Sequence, residues 1–324
     1  MKLNYRQVIA VAIGDAMAAD ERVILIGEDV AAAGGAFKTT VGLLERFGPT
    51  RVRDTPISEQ AIVGAATGAA IMGLRPVAEV MFADFAAVCF DQIVNQLAKY
   101  RYMTGGQVRV PVTIRMANGA GAGFAAQHSQ PAENWFLNVP GLKIAVPATV
   151  PDLYGLLRAA VADDDPVLVF EHKNLFAVTG ELAEPPRVVP LGLAEVVRPG
   201  SDLTVVATQQ MRHRALAAAA ELAGDGIELC VIDPRTLVPF DDAAVVRSLS
   251  ETSRLLVVQE APASGSWGAS LVARMVQHHF PLFDAPPVLV ATDDTPVPYA
   301  GPLEEAWLPS VRQIAAAARR LAAY

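Results

Sequence analysis

Arg51-Val52-Arg53-Asp54-Thr55-Pro56-Ile57-Ser58-Glu59-Gln60 is the stretch on which the fold class turns. It reads as a short strand end, a proline that stops regular structure, and a serine placed to cap a helix from about Gln60 to Gly73. Glu59 then stands where strand gives way to helix. In open α/β sheets that is the edge where ligands bind, because backbone amides and helix ends converge there. A glutamate in a first helical turn also complements the helix dipole and often does nothing more. The helix behind it favours a larger role. Ala61, Ala65 and Ala69 repeat every four residues, as do Gly64, Gly68 and Met72, so two adjoining faces are nearly bare backbone. Glycine inside a helix costs about 1 kcal/mol relative to alanine. Gly64 and Gly68 therefore predict close approach to another helix or subunit. Such packing would draw Glu59 out of water, a setting suited to an acid that exchanges protons.

Outward from this stretch, apolar strand-like runs alternate with helical ones, the mark of a parallel sheet covered on both faces. Strands are predicted at Val23 to Gly27, Val77 to Phe82, Val112 to Met116, Lys143 to Val146 and Val167 to Phe170. Helices are predicted at Tyr5 to Ala19, Gln60 to Gly73, Phe85 to Tyr102 and Pro151 to Ala162. The rhythm restarts after a proline-rich passage. Strands follow at Leu203 to Ala207, Leu229 to Ile232, Leu255 to Val258 and Val288 to Ala291, with helices near Arg212 to Leu222, Asp241 to Ser250, Ser270 to His279 and Leu308 to Leu321. The expectation is an α/β protein of two doubly wound domains, 1–183 and 201–324, joined by a linker at 184–200.

Hydrophobic residues make up 52% of the 324 and charged residues only 19%, which suggests surface hidden in an oligomer. A formal charge of −8 and the absence of a Lys/Arg cluster argue against nucleic acid or an anionic membrane as partner. Ala61 to Met72 is an apolar run far short of the roughly 20 residues a membrane span needs. The first residues lack the apolar core of a signal peptide, so the expected location is the cytoplasm. Cys89 and Cys230 lie in separate apolar runs and read as buried free thiols. His278 and His279 are adjacent, and neighbours on a helix diverge, so a shared metal is not expected.

Asn118-Gly119-Ala120-Gly121-Ala122-Gly123 superficially resembles a dinucleotide loop. The spacing is wrong, Pro131 limits any following helix, and no acidic residue follows at the distance a ribose contact requires. A flexible loop carrying Gln127-His128-Ser129-Gln130 is expected instead. His128 is the candidate histidine, with movement permitted by the glycines before it; a loop histidine bonded to nearby backbone is the alternative. Gly224-Asp225-Gly226 has the form of a magnesium-diphosphate tripeptide, but the asparagine that would complete the site is missing, since none follows Asn174. The tripeptide reads better as a helix-to-strand turn.

The chain as a whole resembles the beta subunits of the thiamine-diphosphate-dependent dehydrogenase component of 2-oxo acid (pyruvate, branched-chain) and acetoin dehydrogenase complexes. The resemblance is carried by Gly27-Glu28-Asp29-Val30, Gly34-Gly35-Ala36-Phe37, Leu43 to Pro49, Asp54 to Glu59, Gly73-Leu74-Arg75-Pro76, Phe90 to Gln96, Ala126 to Gln130, Pro140 to Lys143 and Pro296 to Ala300. It implies a pyrimidine-binding domain followed by a transketolase C-terminal-like domain, and an oxidoreductase active only with an alpha subunit in an α2β2 heterotetramer. It also implies thiamine diphosphate shared between the subunits, magnesium held mainly by alpha, and a lipoyl acyltransferase core as a further partner. By the same resemblance Glu59 contacts the pyrimidine ring nitrogen, Phe85 stacks on that ring, Ile57 lines it, and His128 faces the substrate. A structural potassium ion is implied at Val112, Ala160, Val161, Asp163 and Asp165, although Asp165 stands where asparagine is common. Without the resemblance, Asp163-Asp164-Asp165-Pro166 is a solvated turn.

The substrate is left open between a short 2-oxo acid and acetoin. Glu59-Gln60-Ala61-Ile62-Val63-Gly64 and Phe82-Ala83-Asp84-Phe85 lean toward branched-chain members and Glu171-His172-Lys173-Asn174-Leu175 toward acetoin members, while much else is common to the pyruvate enzymes. The alternatives are the C-terminal half of a split transketolase-type ketol transferase, or a non-catalytic scaffold subunit.

Overall fold

α1 (Tyr5–Ala19) begins where Asn4 and Gln7 exchange side-chain-to-backbone hydrogen bonds, each 2.9 Å long, a capping box that fixes the helix start. The computed structural model describes all residues from Met1 to Tyr324. They form two compact units, one of Met1–Asn118 with Trp135–Leu191 and the other of Gly119–Asn134 with Gly192–Tyr324.

The strands of the first unit are β1 (Lys2–Asn4), β2 (Val23–Gly27), β3 (Val52–Asp54), β4 (Arg75–Phe82), β5 (Thr113–Asn118), β6 (Lys143–Ala145), β7 (Val167–His172) and β8 (Thr179–Glu181). Within this unit six of them run parallel in the order β6-β7-β5-β4-β2-β3, while β1 and β8 pair separately and antiparallel. Beyond α1, the helices are α2 (Leu43–Phe47), α3 (Glu59–Ile71), α4 (Tyr100–Met103) and α5 (Val150–Ala162). α1 and α5 pack on each other, and their apolar residues share a buried core with Val23, Leu25, Val77, Val167 and Val169 of the sheet. α3 packs on β4. β5 and β7 are buried along their whole length and β4 along most of it, so these strands are covered on both faces, as a parallel sheet requires.

The helix expected from Phe85 to Tyr102 is not one helix. A 3-10 turn covers Ala83–Ala87, a π-helix covers Gln92–Leu97, and α4 follows. Ala98 N–H reaches back to Ile93 O at 3.0 Å, five residues rather than four. Ile93 and Leu97 are both buried, a spacing that a π turn and an α turn serve alike, so the apolar pattern hides the change.

The second unit contains β9 (Glu195–Arg198), β10 (Leu203–Ala207), β11 (Leu229–Asp233), β12 (Thr236–Val238), β13 (Leu255–Pro262) and β14 (Val288–Thr292). Its helices are α6 (Gln209–Ala223), α7 (Asp242–Thr252), α8 (Trp267–His279), α9 (Gly301–Trp307) and α10 (Val311–Ala322). The sheet order is β14-β13-β10-β11-β9, with only β9 antiparallel. β9 lies inside the stretch read from sequence as linker, and it joins this sheet by pairing with β11. The helix expected from Leu308 to Leu321 begins three residues later, as α10 from Val311: Pro309 interrupts after α9, and Ser310 with Gln313 forms the capping box that starts it. Cys89 and Cys230 are buried and unpaired. No helix is long and apolar enough to cross a membrane.

Candidate active site

Glu59 is the first residue of α3 and is 7% exposed. Ser58 occupies the cap position, but its side chain makes no capping bond, contrary to the expectation from sequence; its carbonyl accepts from Ile62 N–H at 2.9 Å. The turn that leads into α3 is fixed instead through Asp54 and Thr55. The Asp54 carboxylate accepts the N–H groups of Ala31 and Ala32 at 2.6 and 3.3 Å, and Thr55 N–H donates to Gly27 O at 3.0 Å. The loop after β2 and the turn after β3 are thereby tied together at the carboxyl edge of the sheet.

Two neighbours of Glu59 escaped the reading of sequence for chemistry. Burial raises the Glu28 carboxyl above its ordinary range, and the nearby charges of Asp29 and Glu59 add to the effect. The Cys89 thiol is pushed up to about 12, first by burial and then by the Glu59 carboxylate. Cys89 Sγ lies 3.8 Å from the Phe85 carbonyl, to which it donates, so this thiol joins the turn that carries Phe85 to the vicinity of Glu59. Glu28 sits inside a motif read only for resemblance, and Cys89 in an apolar run reads as core.

Phe85 is half-buried in the 3-10 turn, edge-on to Phe82 with ring centroids 5.7 Å apart. Phe82 in turn meets Phe37 edge-on at 5.3 Å. Ile57 is 76% exposed, an open apolar side chain two residues from a buried acid.

The five positions implied for potassium are brought together by the turn between α5 and β7, and protein donors already occupy their oxygens. Arg75 Nη1 donates to Val161 O and Asp163 O at 3.1 and 2.9 Å. Lys143 Nζ lies 2.7 Å from both Asp163 carboxylate oxygens and 3.3 Å from Asp165, which also meets Arg101. Val112 O accepts from Val167 N–H and Ala160 O from Asp163 N–H, at 3.0 and 3.2 Å. Burial alone would raise the Asp165 carboxyl, but Arg101 and Lys143 outweigh it and hold it below the usual range. A cation here would share the Val161 and Asp163 oxygens with a guanidinium. Each of these backbone oxygens accepts one protein donor, so an ion there would use its second lone pair.

His128 belongs to the other unit, on a half-buried turn of the Gly119–Asn134 segment. The glycines before it also set the direction of the backbone amides. Gly119, Gly121 and Gly123 all take positive φ, at 85°, 88° and 74°, conformations other residues rarely adopt. The amides they orient are bonded to buried carboxylates. Asp225 of the Gly-Asp-Gly tripeptide lies in the turn after α6 and pairs with Arg319 at 2.6 Å. No group of three or more His, Cys, Asp or Glu side chains is placed to share a metal ion.

The fold and this site define a two-domain α/β protein of the transketolase type. Residues 1–178 match the family described as transketolase, pyrimidine binding domain, and residues 192–314 match transketolase, C-terminal domain. The chain is 46% identical to the beta subunit of acetoin:2,6-dichlorophenolindophenol oxidoreductase of Cupriavidus necator, over 98% of this chain and 97% of that one. It is 41% identical to the 2-oxoisovalerate dehydrogenase subunit beta of Bacillus subtilis, over 99% of each chain. It is 40% identical to the pyruvate dehydrogenase E1 component subunit beta of Rickettsia felis, over 100% of this chain and 99% of the relative. A solved structure described as a split gene transketolase, inactive beta4 tetramer, shares the fold, with a TM-score of 0.81 and 23% identity over 99% and 98% of the two chains. The chain belongs to the family of beta subunits of pyruvate, branched-chain 2-oxo acid and acetoin dehydrogenases.

Proposed function

We propose that this chain is the beta subunit of an α2β2 enzyme that decarboxylates a short 2-oxo acid, or cleaves acetoin, and passes the acyl group to lipoamide on an acyltransferase core. Thiamine diphosphate, shared with the alpha subunit, supplies the carbanion chemistry when bound. Magnesium is held by alpha, and no step of the proposal uses potassium. Glu59 holds and returns a proton at its carboxyl oxygen, facing a pyrimidine ring nitrogen. Phe85 and Ile57 supply apolar surface against the ring, and His128 presents an imidazole on the substrate side for proton transfer.

The observation that carries this reading is the burial of Glu59 at the head of α3, at the carboxyl edge of a parallel sheet. A carboxyl that merely complemented the helix dipole would lie in water, where its desolvation costs nothing. Relatives at 40–46% identity support dehydrogenase chemistry over ketol transfer, and the acetoin subunit's 46% makes acetoin the substrate to test first. The test is co-expression with the alpha partner, thiamine diphosphate titration, and artificial-acceptor turnover on acetoin, pyruvate and a branched 2-oxo acid. Glu59→Gln is expected to assemble normally and lose turnover by about 100-fold or more, as for removal of an acid-base group. Undiminished turnover in this variant would remove Glu59 from the mechanism.

A further inference from the structure

In the second unit, the switch point of the sheet falls at β10, whose parallel neighbours β11 and β13 lie on opposite sides. A doubly wound sheet offers its ligand crevice at the carboxyl ends of such strands. Here Glu260, near the end of β13, accepts the N–H of Ala120 at 2.5 Å, and Ala120 itself is buried in the unit's core. The chain's own glycine-rich segment therefore takes up that edge.

Glu304 of α9 continues the arrangement. Its two carboxylate oxygens accept the N–H groups of Gly121 and Gly123, at 2.8 and 3.1 Å. Positive φ at every second residue turns these amides to one side, a nest of the kind that binds anions. Glu304 is 3% exposed and Glu260 9%. Carboxylates so buried are costly unless hydrogen-bonded, and charge-assisted bonds of this kind are about twice as strong as neutral ones. At the far end of the segment, Trp267 N–H donates to Asn134 Oδ1 at 2.9 Å. His128 thus sits on a span held at both ends.

We infer that Glu304, with Glu260, is a positioning residue that fixes His128 for its part in the reaction. This rests on the proposal that His128 acts on the substrate side. The nest is filled from within the chain, so the glycines serve rigidity at the root of the loop.

The test uses the complex with the alpha subunit and thiamine diphosphate, with acetoin and pyruvate as substrates. Glu304→Ala is expected to lower kcat about 100-fold, the scale of a misplacement of roughly 1 Å, while KM changes by less than about 3-fold. Glu304→Gln keeps one acceptor and should recover about 10-fold of that loss. In a His128→Ala background, Glu304→Ala should cost nothing further. Hydrogen exchange at the Ala120, Gly121 and Gly123 amides should accelerate in both Glu304 variants, and if Glu304→Ala does not assemble, Glu304→Gln carries the comparison. Equal losses with and without His128, a kcat unchanged in Glu304→Ala, or full activity in His128→Ala would each overturn the inference. Wild-type complex that turns over no substrate would sink the functional reading instead, and exchange at the three amides would still show separately whether the clamp exists.

Discussion

Arg115→Met should be among the most damaging single substitutions in this chain. Arg115 lies on β5 between β4 and β7, and donates through Nε and Nη2 to the two oxygens of Glu171 at 2.7 and 2.8 Å, and through Nη1 to Glu79. Glu79 stands directly across the ladder from it. All three side chains are at most 7% exposed, so two carboxylates share one guanidinium out of water. Methionine preserves much of the volume and none of the charge. Leaving a buried partner unpaired costs about 3–5 kcal/mol. At about 2–4 °C per kcal/mol for a domain of this size, the thermal midpoint should fall by about 6–20 °C. The loss should also depend on pH. Burial already raises the Glu171 carboxyl, with Arg115 pulling it down and Glu79 pushing it up, so the guanidinium's removal raises it further. A carboxyl whose folded value exceeds its unfolded value takes up a proton on folding. Its contribution is therefore kept at low pH and lost as pH rises from the unfolded value toward the raised folded one. Melts of wild type and variant, followed by circular dichroism at pH 5 and pH 8, should show the larger gap at pH 8. A gap below about 1 kcal/mol, or one equal at the two pH values, would refute the argument that charge pairing rather than packing is at stake.

Two further outcomes follow from local geometry. Cys89, with its thiol pushed up to about 12 and buried, should resist iodoacetamide at pH 8 until the chain unfolds; fast labelling of the native chain, read by mass spectrometry, would show that the core around Cys89 opens without unfolding. Gly68→Ala should raise the midpoint of the isolated chain by roughly 2–4 °C, since a Cβ there meets nothing within 4 Å and alanine is worth about 1 kcal/mol in a helix. The same variant should weaken capture by the alpha subunit in a pull-down if the bare face of α3 is the contact, whereas unchanged capture would place the contact elsewhere.

The periodicity of the sequence was enough to delimit α1 and β2, because both combine an unbroken apolar pattern with a polar stop, Asp20 for the helix and Glu28 for the strand. It was blind to the π turn at Gln92–Leu97, where the buried positions fit either helix. Gly64 was half legible: a Cβ there would lie 3.2 Å from Gln92 Oε1, a close approach, but within the same chain. Glu59 could be singled out because a strand end, a proline and a small-residue helix lie next to it in sequence. Glu304 could not, because the glycines it bonds are 183 and 181 residues away and nothing local marks it. Pairings made by folding alone leave no trace in spacing.

The role proposed for Glu59 calls for a dry setting, and this chain leaves an apolar side chain exposed close to it in sequence. Beneath the carboxyl, Cys89 and the core of the first unit exclude water. Ile57, two residues before Glu59, is 76% exposed, and Val88, next to Cys89 in the chain, is 58% exposed. Ala61, Ala65 and Gly68 leave one side of α3 open along most of its length. Exposed apolar side chains are an unfavourable surface to present to water, and contiguous patches of them mark contact sites. Burial of Ile57, two residues before Glu59 in the chain, by a second chain would release ordered water from that turn. If Glu59 acts as proposed, pairing with an alpha subunit would cover this face, and the chain kept without that partner is expected to show no turnover in the artificial-acceptor assay.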